Sequence, residues 1–144
     1  MAVSVYGSVS GGDLQPGEHL IDGNTIAIAL QPQAARSGLT ALAGGGATGA
    51  TQLLPGLSEV DTVATAADSC LLPLALAGTS VAVYNATAST SLTVWPQASN
   101  PNNAAGAADT IINLAGNTVT SLACAAATVQ FFRCFKAGTW KATV

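Results

Sequence analysis

Charge is what this chain lacks most. Of 144 residues only four are Lys or Arg and seven are Asp or Glu, 8% in all, against about a quarter in an average soluble domain. Four cations cannot form the basic stripe that nucleic acid requires. A net charge of −3 with 49% hydrophobic residues also excludes an acidic disordered chain, which needs high charge and low hydrophobicity. No segment supplies the roughly 20 uninterrupted apolar residues of a membrane helix; the best stretch, Leu71 to Tyr84, is broken by Pro73 and Gly78. The opening Met1-Ala-Val-Ser-Val-Tyr6 has neither a basic n-region nor an apolar h-region. No secretory signal is therefore expected, and the chain reads as a cytoplasmic product.

What is present is small. Ala (29), Thr (16), Gly (15) and Ser (11) make up about half the chain. The length suits one domain with a core of its own. Charged side chains normally keep free surfaces soluble and apart. Their scarcity here predicts a surface partly covered by copies of the chain or by a larger assembly.

The hydrophobic pattern has the period of strands. Val81 and Val83, and then Leu92 and Val94, alternate with small or polar residues, as half-buried antiparallel strands do. Strands are expected at 60–65, 69–72, 80–85, 91–95, 110–114, 118–124, 128–135 and 139–143. Turn residues separate them at Pro73, Ala77-Gly78, Pro96 to Gly106, Gly116-Asn117 and Ala137-Gly138. That spacing argues for an all-β sandwich or barrel. Residues 1–37 differ: Val3, Val5 and Val9 alternate with small residues, Gly11-Gly12 interrupts, and Ile26, Ile28 and Leu30 form a second extended run. They read as an extended N-terminal arm and a first strand, leaving 38–144 as the β domain.

Chemical motifs are weak. Gly44-Gly-Gly-Ala-Thr-Gly49 fits the dinucleotide pattern in letters, and the same stretch lacks the Lys of a phosphate loop. It is followed by Leu54-Pro55-Gly56 rather than by the helix whose N-terminus would hold an anion; a flexible connector is expected. The only histidine, His19, stands in a turn-like Pro-Gly-Glu-His stretch without a nucleophile motif nearby. Cys70, Cys124 and Cys134 lack metal-ligand spacing. An odd number of cysteines without an export signal reads as free thiols. If 118–124 and 128–135 form a hairpin, Cys124 faces Val129 and Cys134 faces Val119, too far apart to bridge. Glu59, Asp61 and Asp68 could form a weak calcium site, but a solvated sheet edge is the simpler reading. Most aromatic mass, Tyr84, Trp95, Phe131, Phe132, Phe135 and Trp140, lies on expected strands and reads as core. Asn85-Ala-Thr87 is formally a glycosylation sequon.

Charge is also unevenly placed. Residues 1–35 carry only acids (Asp13, Glu18, Asp22), whereas the last twelve carry only Arg133, Lys136 and Lys141. The expected contact residues are Val3, Val5, Tyr6 and Val9 on an arm able to add a strand to a neighbour. Arg133, Lys136 and Lys141 on the last hairpin complete the set, a place where acidic arm and basic hairpin could meet across a subunit boundary; three solvated side chains near a chain end are the simpler reading.

From Leu39 onward an ordered string of short motifs can be read. It runs through Gly49-Ala-Thr-Gln52, Val60-Asp-Thr-Val-Ala-Thr-Ala-Ala67, Leu72-Pro73, Val81-Ala-Val-Tyr-Asn85 and Leu92-Thr-Val-Trp-Pro96. Asp109-Thr-Ile-Ile-Asn113, Leu114-Ala-Gly116, Phe131-Phe132 and Ala137-Gly-Thr-Trp140 complete it. The string resembles a family of small tailed-phage structural proteins, with Trp95 where that family usually has Tyr and a longer, Asn- and Ala-rich loop at Pro96–Gly106. The resemblance implies a virion surface domain of the capsid decoration, cement or head-fibre kind. It also implies an antiparallel β-sandwich, jelly-roll or β-tulip-like, often trimeric. The expectation is a capsid decoration protein with no catalysis and no cofactor. Its partners would be the major capsid protein and further copies of itself, a trimer before a dimer, with neither nucleic acid nor membrane. A tail-fibre or head-fibre knob engaged in host attachment is the alternative; the chain shows no stalk repeat.

Overall fold

The computed structural model describes residues 19–22, 25–28, 34–103 and 106–143. The chain divides into two units, Met1–Gln33 and Ala34–Val144. In the first, β1 (His19–Asp22) and β2 (Thr25–Ile28) pair antiparallel, from His19 opposite Ile28 to Asp22 opposite Thr25. His19 thus belongs to a strand. The proposed arm contacts Val3, Val5, Tyr6 and Val9 lie outside the described residues.

In the second unit the period-2 pattern becomes strands and, among the described residues, no α-helix. They are β3 (Ala35–Thr40), β4 (Thr51–Gln52), β5 (Gly56–Thr62), β6 (Ser69–Leu71), β7 (Ser80–Asn85), β8 (Leu92–Trp95), β9 (Thr110–Ile112), β10 (Thr118–Val119), β11 (Leu122–Cys124), β12 (Thr128–Lys136) and β13 (Thr139–Thr143). Two sheets result, ordered β10-β9-β13-β12-β7-β5-β3 and β11-β8-β6-β4.

Both sheets are mixed, which corrects the antiparallel expectation. From β3 to β8 the chain changes sheet at every strand, so β3, β5 and β7 lie parallel in one sheet and β4, β6 and β8 parallel in the other. A parallel neighbour needs a crossover of a dozen or more residues, and here the crossover is a strand of the opposite sheet. The antiparallel strand pairs described in this unit are β7–β12, β12–β13, β9–β10 and β8–β11, with one antiparallel bridge between Leu42 and Ser69. Alternation in sequence sets which side a residue faces, whichever way the neighbouring strand runs. For the same reason the expected hairpin of 118–124 with 128–135 does not form: β11 pairs with β8, and β12 with β7 and β13.

One hydrophobic cluster draws on the inner faces of both sheets. Val60, Val81, Val83, Ile111, Phe132 and Trp140 come from the larger sheet, and Cys70, Leu92, Val94 and Cys124 from the smaller. Full burial of a side chain such as Phe132 or Leu92 (both 0% exposed) contributes about 1.5–3 kcal/mol.

Buried polar side chains fasten the loops around this core, as buried polar groups must find partners. Asp68 accepts from Thr65 Oγ1 (2.7 Å) and from the backbone N–H groups of Ala64 (2.8 Å), Thr65 (3.2 Å) and Gly44 (3.3 Å). It therefore holds the glycine loop, and Ser69 Oγ donates to the Gly46 carbonyl at 2.7 Å. Gly45 has φ +79°, and a Cβ there would meet the Ala67 carbonyl oxygen at 2.3 Å. The run expected to be a flexible connector is a docked one, glycine because two backbones touch. Asn85 spans the two sheets: from β7 its amide donates to the Cys124 carbonyl of β11 (3.1 Å) and to Thr90 O (2.8 Å). Its Oδ1 accepts from Thr87 N (3.2 Å) and Thr87 Oγ1 (2.7 Å). Asn100 donates to Asp109 Oδ1 (2.8 Å) while Asp109 Oδ2 accepts from Ala75 N (2.8 Å), which closes the long loop before β9.

Candidate interaction surface

Strand parity builds the surface residue by residue. On β12, Phe132 and Cys134 point into the core while Val129, Phe131, Arg133 and Phe135 are exposed. On β13, Trp140 and Ala142 point in and Lys141 out; on β5, Ser58 and Val60 point in and Leu57, Glu59 and Asp61 out. Register then lines these up across the larger sheet. One row runs Ala35, Leu57, Ala82, Phe131, Thr143, and the next runs Glu59, Tyr84, Val129. On the other side of the first row comes Ser80, Arg133, Lys141, Ile112.

The result is an apolar, outward-facing band. Leu57 (44%), Val129 (49%) and Phe135 (70% exposed) are large side chains in water, together with Tyr84 and Phe131. Beside it Leu57, Tyr84, Val129, Ala35, Ser37 and Glu59 border a shallow concavity of about 380 Å³. Monomeric proteins seldom leave a contiguous apolar patch of this kind uncovered, and such patches mark interaction sites.

The band is bordered by opposite charges. Arg133 and Lys141 stand directly across from each other on antiparallel strands, a like-charge arrangement that is destabilising by itself. Lys136 lies at the hairpin end of β12, where the register shifts and Phe135 is squeezed outward. Glu59 and Asp61 hold the opposite corner on β5. No ion pair joins any of these five among the described residues.

Arg133, Lys136 and Lys141, expected as contact residues, therefore lie together on one corner of this face. Leu57, Tyr84, Val129, Phe131 and Phe135 were not expected there. Tyr84, Phe131 and Phe135 correct the reading of the aromatics as core, which holds for Phe132 and Trp140. The signal was present in the sequence: Phe131 and Phe135 share strand parity with Arg133, and Phe132 does not.

The other candidates do not converge. Asp68 turns inward while Glu59 and Asp61 turn outward, and no cluster of three metal-ligating side chains occurs among the described residues. Hydrogen bonding, first from the Thr65 hydroxyl, holds the Asp68 carboxyl below its ordinary value. All three cysteines are free and buried. Burial pushes the Cys70 and Cys124 thiols up to about 12, and the Cys134 thiol upward as well. The amide of Asn85 in the sequon is fully buried and bonded to backbone carbonyls, so in the folded chain it is closed to glycosylation. Comparison with protein-family models, with curated proteins and with solved structures finds no match.

Proposed function

We propose that this chain is a virion structural protein of the capsid decoration, or cement, kind. It binds the assembled shell of a tailed-phage head and stabilises it by mass action, since a ligand of the closed shell shifts the balance toward that shell. The observation that carries the reading is the outward apolar band of Leu57, Ala82, Phe131, Tyr84 and Val129 in a chain with 8% charged residues. Such a surface suits a protein whose working state is packed among others. The motif string from Leu39 onward supports the phage assignment. In this reading the second unit is a two-layer β-sandwich, and the segment holding Val3, Val5, Tyr6 and Val9 is the arm that adds a strand to the major capsid protein.

Cryo-electron microscopy of the particle that contains this chain tests the proposal. Copies spread over the icosahedral head are the expected result. A few copies confined to the tail would replace it with the fibre-knob reading, and absence from the particle would refute both. Deleting residues 2–12 should abolish head binding and leave the melting transition of the β domain in place; undiminished binding would remove the arm from the proposal.

A further inference from the structure

We propose that the outward face of the larger sheet pairs with the same face of a second copy, about a twofold axis that passes through Ala82. The inference stands on the layout of this face and does not depend on the particle reading.

Ala82 sits at the centre of the layout. Arg133 is one strand away on β12, opposite Ser80, and so one outward position behind Ala82. Glu59 is one strand away on the other side, on β5, opposite Tyr84, and so one outward position ahead. The cation and the acid are thus the two ends of a diagonal whose midpoint is Ala82. A dyad lying in the interface, through Ala82 and at right angles to that diagonal, lays Arg133 of each copy over Glu59 of the other.

The same operation matches residues that did not define it. Take strands about 4.8 Å apart and outward residues about 6.8 Å apart along a strand. The dyad then brings Lys141 to within about 3 Å, in projection, of the other copy's Asp61, and Tyr84 to within about 3 Å of its Phe131. Two pairs of opposite charge and one aromatic pair coincide from a single axis, and each occurs twice because the interface is isologous. At the axis the small, nearly buried Ala82 (5% exposed) lets the sheets approach. The strands of the two copies then cross steeply, as in the orthogonal class of sheet packing. The pairing also gives the Arg133–Lys141 pair an anionic partner, which it does not have among the described residues. This is charge complementarity of the face with itself, and it favours two copies over the threefold association that the resemblance implies.

Sedimentation equilibrium of the full chain over a range of concentrations, at low and at high salt, reads the result. The expected behaviour is a monomer–dimer equilibrium that weakens as salt screens the four ion pairs. R133E or E59R alone should raise the dimer dissociation constant about tenfold or more. R133E/E59R in one chain exchanges both ends of the diagonal and should restore it to within a few-fold of the original. Both side chains at the ends, Arg133 and Glu59, are outside the core, and thermal melts check that each variant folds. A chain monomeric at every concentration, a trimer, a dimer indifferent to the single substitutions, or a double variant no better than the singles would each overturn the proposal.

Discussion

Asp68 brings a carboxylate to 2% exposure with no cation beside it, and four donors on Gly44, Ala64 and Thr65 take the place of water. These bonds favour the charged form, so its folded value lies below the ordinary one. A depressed folded value means that the unfolded chain binds the proton more readily. The stabilisation is complete above the unfolded value, 3.8, and is lost as pH falls through the folded one. Thermal melts should therefore lose midpoint as pH drops below about 4, and Asp68→Asn should start from a lower midpoint and flatten that slope. An unchanged slope in the variant would assign the acid sensitivity elsewhere. Thiols tell the opposite story. With Cys70 and Cys124 at about 12, the thiolate that reacts with disulfide reagents is scarce at neutral pH. Ellman's reagent should label none of the three cysteines in the native chain and all three in denaturant. At this scale the sequence was legible wherever parity decides. Adjacent phenylalanines, 131 and 132, must face opposite ways, and Arg133 says which way is out. Asp68 was not legible, because its donors come from a loop twenty-four residues earlier as well as from its own turn.

Strands are the level at which reading went furthest. The spans 80–85 and 139–143 coincide with β7 and β13, and 91–95 and 128–135 differ from β8 and β12 by one residue. β3 gave no signal because it is an edge strand, Ala-Arg-Ser-Gly-Leu-Thr, with one buried residue and a glycine at φ +74°; β4 has two residues. Strand order was hidden for a different reason. Periodicity fixes a side chain's face but carries no information on which strand lies alongside, and the crossovers that make β3, β5 and β7 parallel are themselves strands. The two sheets are coupled by Asn85, whose amide reaches from β7 to the Cys124 carbonyl of β11. Asn85→Ala would take this donor from the buried Cys124 carbonyl, while Thr90 O keeps the Thr87 hydroxyl, at a cost of about 1–3 kcal/mol. Urea denaturation should show that loss as a lower midpoint with an unchanged slope; a change below about 0.5 kcal/mol would mean that water replaces the amide.

For the molecule as a whole, the scarcity of charge takes a definite form. The described cations other than Arg36 stand on one corner of a sheet face, two of the acids on the corner diagonally across, and apolar side chains between them. Half of this arrangement was legible: Arg133, Lys136 and Lys141 are close in sequence and share one hairpin. The other half was not, since Glu59 reaches the same face only through the order β12-β7-β5, which links segments some seventy residues apart.

The chain's passage from sheet to sheet between β3 and β8 has one more consequence, for the rate of folding. Leu57 pairs with Ala35, and Val81 with Gly56, across 22 and 25 residues; β7 then waits for β12, with Phe131 opposite Ala82 across 49. Few local contacts form early enough to offset the entropy of closing such loops, so β-rich folds with non-local pairing fold in milliseconds to seconds rather than microseconds. The smaller sheet has all its strands by Cys124, whereas the larger one still waits for β12 and β13. A ribosome releasing this chain would hold an incomplete core until the β12–β13 hairpin, residues 128–143, has emerged, and the outward apolar face would form only then.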